Sequence, residues 1–391
     1  MTKRTLTILG VVMALAAAGL ATESPASAAP PPWAAVPACP GPAAKGTVRC
    51  HAWILPQAKK SGGSSKHSGS SGTTIGGLSP ATIKTAYNFP TSLTAGAGQT
   101  IAIVDAYDAP NAEKDLATFS TQWGLPQCTT RNGCFTKVNQ TGGTALPSAD
   151  SRWALEISLD IQWAHAIAPG AKILLVEANS SGFGDLNAAE DYANQHALYV
   201  SNSWGGGEFS GESTNDVHYG PGNVSAFVAS GDGGYGAEYP SASPNVISVG
   251  GTTLGHTSTG YLDYGWTGSG GGCSASEKAT SAQAGFGGYA QVNCGGMRAT
   301  PDLALDADPN SGVAVYDSTP YNGQSGWFVV GGTSASTPMV AARAAITGQP
   351  VKPATVYGTS ITFRDVTQGS NNGASCLPGY DLVTGRGAWI G

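Results

Sequence analysis

Charge is what this sequence has least of: only 11% of its 391 residues are Asp, Glu, Lys or Arg. Lys and Arg are scattered and form no basic run, so nucleic acid is excluded as a partner class. The formal net charge is −6 at neutral pH. With every carboxylate protonated, the chain would carry only its 19 Lys and Arg and six His. Self-repulsion in acid is therefore limited. Beyond the N-terminus no apolar stretch reaches the roughly 18 residues that a membrane span needs. There is no CxxC pair and no HExxH helix, which removes the common zinc signatures. Internal repeats are missing as well. None of the six histidines is followed by Gly, an absence that matters once a nucleophile is in view.

What the chain does have begins with an export signal. Lys3 and Arg4 are a charged start, Leu6 to Leu20 an apolar run too short for a span, and Ala26-Ser27-Ala28 a small-residue cleavage site. Residues 1–28 are thus expected to be a signal peptide and the product to be secreted, extracellular and free of the membrane. Residues 29–75 are rich in Pro and Ala and then in Gly and Ser, which predicts a short disordered pro-segment and linker. Order is expected from Leu78-Ser79-Pro80, with Ser79 as a helix cap and Pro80 at the first helical position. One domain over 76–391 remains.

Seven cysteines in an exported chain read as disulfides. Sequence proximity suggests Cys39–Cys50, Cys128–Cys134 and Cys273–Cys294, with Cys376 left over. Within the domain, short apolar runs (Thr100–Val104, Lys172–Glu177, Leu198–Ser201, Ala226–Ala229, Val246–Val249) alternate with helical stretches (Ser151–Ile167, Asp185–His196). That alternation predicts an α/β fold with a largely parallel sheet, whose functional residues gather at the carboxyl ends of the strands.

Three strings carry chemistry. Gly331-Gly332-Thr333-Ser334-Ala335-Ser336-Thr337-Pro338 leads into an Ala-rich helix. Ser334 would sit near the N-terminus, where free N–H groups favour a developing negative charge, and Pro338 in the first turn. Glu156 and Asp160 lie four apart in Ser151–Ile167, on one helix face with side-chain carbons about 5–6 Å apart. Their neighbours Leu155, Ile157, Leu159 and Ile161 are apolar, so the pair is expected to share a proton and titrate as a unit. In Ser230-Gly231-Asp232, an apolar strand ends in a Gly-flanked Asp; taken alone it reads as a tight turn.

The GTSASTP string resembles the nucleophile motif of the subtilisin-like clan, yet the histidine motif that a subtilisin uses as base is missing. With Glu156 and Asp160 in place of that histidine, the chain resembles the sedolisins, the serine-carboxyl peptidases. The resemblance covers roughly residues 78–391. It implies a subtilisin-like three-layer fold, a central, mostly parallel sheet flanked by helices. It also implies an endopeptidase acting on protein or peptide substrates, with Ser334 as nucleophile and Glu156 as general base. On the same resemblance, Asp160 orients Glu156, and Asp232 donates from the oxyanion hole, which requires it to be protonated. Reference carboxylate values then place activity at roughly pH 3–5. Ser203-Trp204-Gly205 would pair with the substrate backbone. Asp365, Val366, Leu377, Gly379 and Asp381 would hold one structural Ca²⁺ through carboxylates and carbonyls. Asp105, ending the first strand, is read either as a partner of Asp160 or as a turn cap. A monomer is expected. The rivals are a neutral subtilisin-type protease using Asp105 and a distant histidine, and an inactive peptide-binding relative. A sedolisin carries a folded propeptide of well over a hundred residues; here only about fifty separate the signal from the domain.

Overall fold

The computed structural model describes Thr2, residues 34–56 and residues 75–391; the expected signal peptide and the Ser/Gly linker lie outside the described residues. A ten-stranded sheet organises the domain. From one edge its strands run Phe363–Arg364, Ala388–Trp389, Leu303–Asp306, Ile247–Thr257, Ser225–Ala229, Tyr199–Asn202, Thr100–Ala106, Lys172–Ala178 and Phe135–Asn139. Gly260–Gly265 pairs as a hairpin with Ile247–Thr257. The eight strands from Ala388–Trp389 to Phe135–Asn139 are mutually parallel. Parallel strands are covered on both faces, so they read as continuous apolar runs, and Ile101 to Val104, Leu175, Val176, Val200 and Phe227 to Ala229 are all fully buried. This is the expected α/β class; four of the predicted strands shift at their ends by a residue or two, while Val246–Val249 proves to be the start of the longer strand Ile247–Thr257.

Two helices carry the candidate site residues Glu156, Asp160 and Ser334. Ser151–Ile167 begins where Asp150 accepts the amides of Arg152 and Trp153, satisfying donors that a first turn leaves free. Every side chain from Trp153 to Ile167 is buried, because this helix packs against both the strand Thr100–Ala106 and the helix Thr333–Thr347. The latter helix starts at Thr333, so Pro338 falls in the second turn rather than the first. Proline offers no N–H to the Ser334 carbonyl, which instead accepts the Ser203 hydroxyl at 3.5 Å.

The N-terminal region corrects the sequence reading. Residues 29–75 were expected to be disordered, yet 34–56 are ordered and belong to the same compact unit as the domain. Val36–Pro37 pairs with Trp53–Ile54, and Trp53–Leu55 adds to the hairpin Val313–Tyr321/Gln324–Gly331. Arg49–Cys50 pairs antiparallel with Trp204–Gly207. The segment's buried residues belong to the core of the domain, and its outer strands pair with strands of the domain, which is why composition alone reads as disorder. The three expected disulfides are present, and Cys376 is a buried free thiol. Among the described residues no helix is long and apolar enough to cross a membrane.

Candidate active site

Ser334 is the second residue of its helix and fully buried. Its hydroxyl donates to the Ser203 carbonyl at 3.2 Å. The turn before it depends on Gly332, whose φ of +95° lies in the region that favours glycine. A Cβ there would run into the His51 carbonyl oxygen and lie 2.8 Å from Asp232 Oδ2.

Glu156 and Asp160 face the same place from the neighbouring helix, and both are fully buried. Burial first, then Asp160, pushes the Glu156 carboxyl well above the usual range; the Ser334 hydroxyl and the Ala52 amide beside it pull the other way. Asp160 is raised by burial and eased by the Ser203 hydroxyl. Asp105 joins them: burial, then Asp160, Glu156 and Glu177, raise it strongly. None of the six oxygens of Asp105, Glu156 and Asp160 has a hydrogen-bond partner. Buried carboxylates so placed cannot all be ionised, so the cluster retains protons. The charged groups acting on Asp105 are all acids: Asp160, Glu156 and Glu177.

Asp232 follows the strand Ser225–Ala229 after Gly231, whose φ is +110°. Its Oδ1 accepts the Thr333 amide and hydroxyl, each at 2.8 Å, while buried Oδ2 has no partner. Burial raises its pKa to about 6 against the pull of His51, Thr333 and Arg49. Ser334, Glu156, Asp160, Asp105 and Asp232 are thus gathered in one place from two strand ends, one helix start and the middle of a second helix.

Ser203, Trp204 and Gly205 line the same cleft. Their backbone already has a partner, since Arg49 stands opposite Gly205, Cys50 opposite Trp204, and the His51 amide donates to Ser203 O at 3.2 Å. His51 also places Nε2 3.2 Å from Glu238 Oε2, and Arg49 lies 3.8 Å from Oε1 of the same residue. Burial would raise Glu238, but the His51 ring and then Arg49 outweigh it and hold the carboxyl below its usual value. Sequence reasoning missed the strands Arg49–Cys50 and Trp53–Leu55, Glu238 and the hold of Thr333 on Asp232. The run Val48-Arg49-Cys50-His51-Ala52-Trp53-Ile54-Leu55 was the available signal. Trp153, Trp163 and His165, given no role from sequence, are buried packing residues; Trp163 donates to Ala314 O and His165 contacts Pro126 O.

The five residues of the expected cation loop are drawn together near the C-terminus. The Gly379 amide donates to Asp365 Oδ2 at 2.9 Å and the Leu377 amide to Asp381 Oδ2 at 3.1 Å. Asp381 is buried and raised to about 6, chiefly by burial. Among the described residues the carbonyls of Val366, Leu377 and Gly379 accept no hydrogen bond. Two carboxylates and three free carbonyls fit a hard divalent cation in donor type. Among the described residues, one other cluster, Cys128, Cys134 and His165, has the spacing of a metal site, but its sulfurs are joined in a disulfide.

Comparison with known proteins agrees with this geometry. Residues 141–371 match the model of the subtilase family. The chain is 31% identical over 361 residues to kumamolisin of a Bacillus species, covering 80% of this chain and 62% of that protein. Among solved structures, Pseudomonas sedolisin, a serine-carboxyl proteinase bound to two molecules of pseudo-iodotyrostatin, superposes with a TM-score of 0.67. That pair shares 27% identity, covering 81% of this chain and 96% of the other. Sphericase shares the fold at a TM-score of 0.53 and 20% identity, covering 79% of this chain and 97% of its own. The chain spans under two thirds of the length of kumamolisin, and it is similar to the serine-carboxyl proteinase of Pseudomonas; it belongs to the subtilase family.

Proposed function

We propose that this chain is a secreted, acid-active endopeptidase in which Ser334 attacks the peptide carbonyl and Glu156 takes its proton. Asp160, with Asp105 behind it, orients Glu156 and shares its proton. Asp232 donates to the oxyanion through Oδ2, the oxygen that Thr333 leaves free. The observation that carries this reading is the convergence of Ser334, Glu156 and Asp232 around one buried point, with the nearby His51 imidazole turned to Glu238 at 3.2 Å. A carboxylate base and a protonated Asp232 act together only in acid: activity falls as Asp232 loses its proton, and falls again when the carboxylate cluster is fully protonated. Substrates are proteins or peptides, held by β-pairing to Ser203, Trp204 and Gly205, and the enzyme acts as a monomer. Calcium, held by Asp365, Val366, Leu377, Gly379 and Asp381, would brace the C-terminal loop and take no part in the reaction.

The test is hydrolysis of an unfolded protein at about pH 4 by Ser334→Ala and Glu156→Gln beside the parent. Each substitution is expected to lower the rate by ~10³-fold or more. A Glu156→Gln protein that retains near-parent activity refutes the assigned base.

A further inference from the structure

Just past the end of the strand Trp204–Gly207, the carboxyls of Glu208, Glu212, Asp216 and Glu277 meet. We propose that Glu212 and Glu277 are positioning residues for substrate. As neutral acids they clasp residues 208–219, which continue the substrate strand, to the strand Gly272–Lys278, and they release them on ionising. The inference rests on the reading above, in which Ser203, Trp204 and Gly205 pair with substrate.

Glu208 crosses to the neighbouring strand, where the Ser274 hydroxyl donates to one of its oxygens and the Ala275 amide to the other at 2.9 Å. A short 3₁₀-helix, Glu212–His218, follows. Glu212 Oε2 accepts the Phe209 amide at 2.6 Å, and Glu208 lies within hydrogen-bond reach of the same side chain. Glu277, reaching in from Gly272–Lys278, stands in the same way to Asp216, whose Oδ1 already accepts the Tyr239 hydroxyl at 3.0 Å. Glu212 and Glu277 are 1% and 4% exposed, and Oε1 of each is buried and accepts no hydrogen bond. Two ionised carboxyls can only accept, so neither satisfies the other. One proton on Glu212 lets it donate to Glu208, and one on Glu277 lets it donate to Asp216.

Among the described residues no cation is placed to do the work of those protons. Lys278 is exposed, with Nζ 3.2 Å from Met297 Sδ. Glu238, beside Tyr239, is turned to His51 and Arg49. From the helix Phe183–His196, Glu190 and Asp191 act on Tyr219, as Asp216 does, and Asp191 accepts His218 at 2.8 Å. The four acids do not approach one another closely enough to cage a metal ion. Burial raises Glu212 to about 8 against the pull of the Phe209 amide, with Glu208 adding to the rise. Burial, then Asp216 and Glu208, raises Glu277 to about 7. Folded values above the ordinary ones make the clasp complete in acid and undo it as pH rises through about 7 and then about 8. Like charges then push Glu208 away from Ser274 and Ala275, and the end of the substrate strand is freed. The loss falls on KM, because that strand holds substrate and leaves the proton transfers at Ser334 alone.

Hydrogen exchange in full-length Ser334→Ala, which does not digest itself, tests the clasp between about pH 4 and pH 9, with the intrinsic pH dependence of exchange divided out. Protection of residues 207–219 and 273–278 is expected to fall roughly tenfold or more as pH passes the Glu277 and Glu212 values, while Tyr199–Asn202 stays protected. In Glu212→Gln/Glu277→Gln an amide donates in place of each acid without titrating, so protection should persist. Glu277→Gln alone should remove the step near pH 7, which covers a failure of the double variant to fold. In the active chain, KM should climb over the same range in the parent and stay level in the Gln variants, with kcat falling alike in all. The proposal is overturned if 207–219 loses protection only together with Tyr199–Asn202, if the Gln variants keep the parent's pH dependence, or if the parent's KM stays level. Exchange that behaves as expected in a chain that hydrolyses nothing at any pH would sink the catalytic reading and leave the clasp standing.

Discussion

Asp232 is anchored to Thr333 through one carboxyl oxygen only, which takes the Thr333 amide and hydroxyl together at 2.8 Å. The other oxygen, buried and unpaired, is the group available to a developing oxyanion. It donates only while protonated, and with a pKa of about 6 it does so below that pH. In Asp232→Asn an amide donates at any pH, so the alkaline fall near pH 6 should disappear from the profile. In Asp232→Ala the rate should drop by ~10²–10³-fold. An Asn variant with the parent's alkaline limb would remove Asp232 from the oxyanion site.

The buried acids also fix how stability depends on pH. Burial raises Glu177 and Glu190 to about 8 and Asp232 to about 6, and lifts Asp105, Glu156 and Asp160 well above their usual values. The folded chain therefore holds more protons than the unfolded one between about pH 4 and pH 8. That stabilisation is complete below the unfolded values and is lost as pH rises through the folded ones. Calorimetry of Ser334→Ala, which avoids self-digestion, should give a Tm lower by roughly 5 °C or more at pH 8 than at pH 4. A higher Tm at pH 8 would contradict the burial of these groups as neutral acids.

Calcium should act on stability and leave the chemistry alone. Saturating calcium is expected to raise the Tm of Ser334→Ala by several degrees over the chelated protein. Asp365→Ala/Asp381→Ala should abolish the increment. Equal Tm values with calcium and with chelator would remove the cation from the C-terminal loop.

The parts of the molecule that were legible in the sequence are those set by local physics. Ser151–Ile167 carries a helical pattern and Thr100–Val104 an apolar run, so sheet and carboxylate helix followed directly. Ser334, Glu156 and Asp160 were singled out from the GTSASTP string, the spacing of four and the resemblance to the sedolisins, and the fold brings them together. Asp105 was left between two readings because its partners, Asp160 and Glu156, lie some fifty residues on and meet it only through the fold. The 34–56 segment was misread because its strands are two or three residues long. They are stabilised by pairing with Gly205, Trp204 and Gly331, not by any periodicity of their own. Glu238 was invisible for a related reason: its significance lies in being near His51 and Arg49, which only the threaded chain brings to it.

The most direct measurement is kcat/KM on an unfolded protein, followed from roughly pH 2 to pH 9 after the N-terminal segment has been displaced. A carboxylate drawing the serine proton gives a maximum in acid and a decline through about pH 6, where Asp232 ionises. A rate that climbs through pH 7 to an alkaline plateau would mean that an imidazole does that work, and the account would be wrong at its centre.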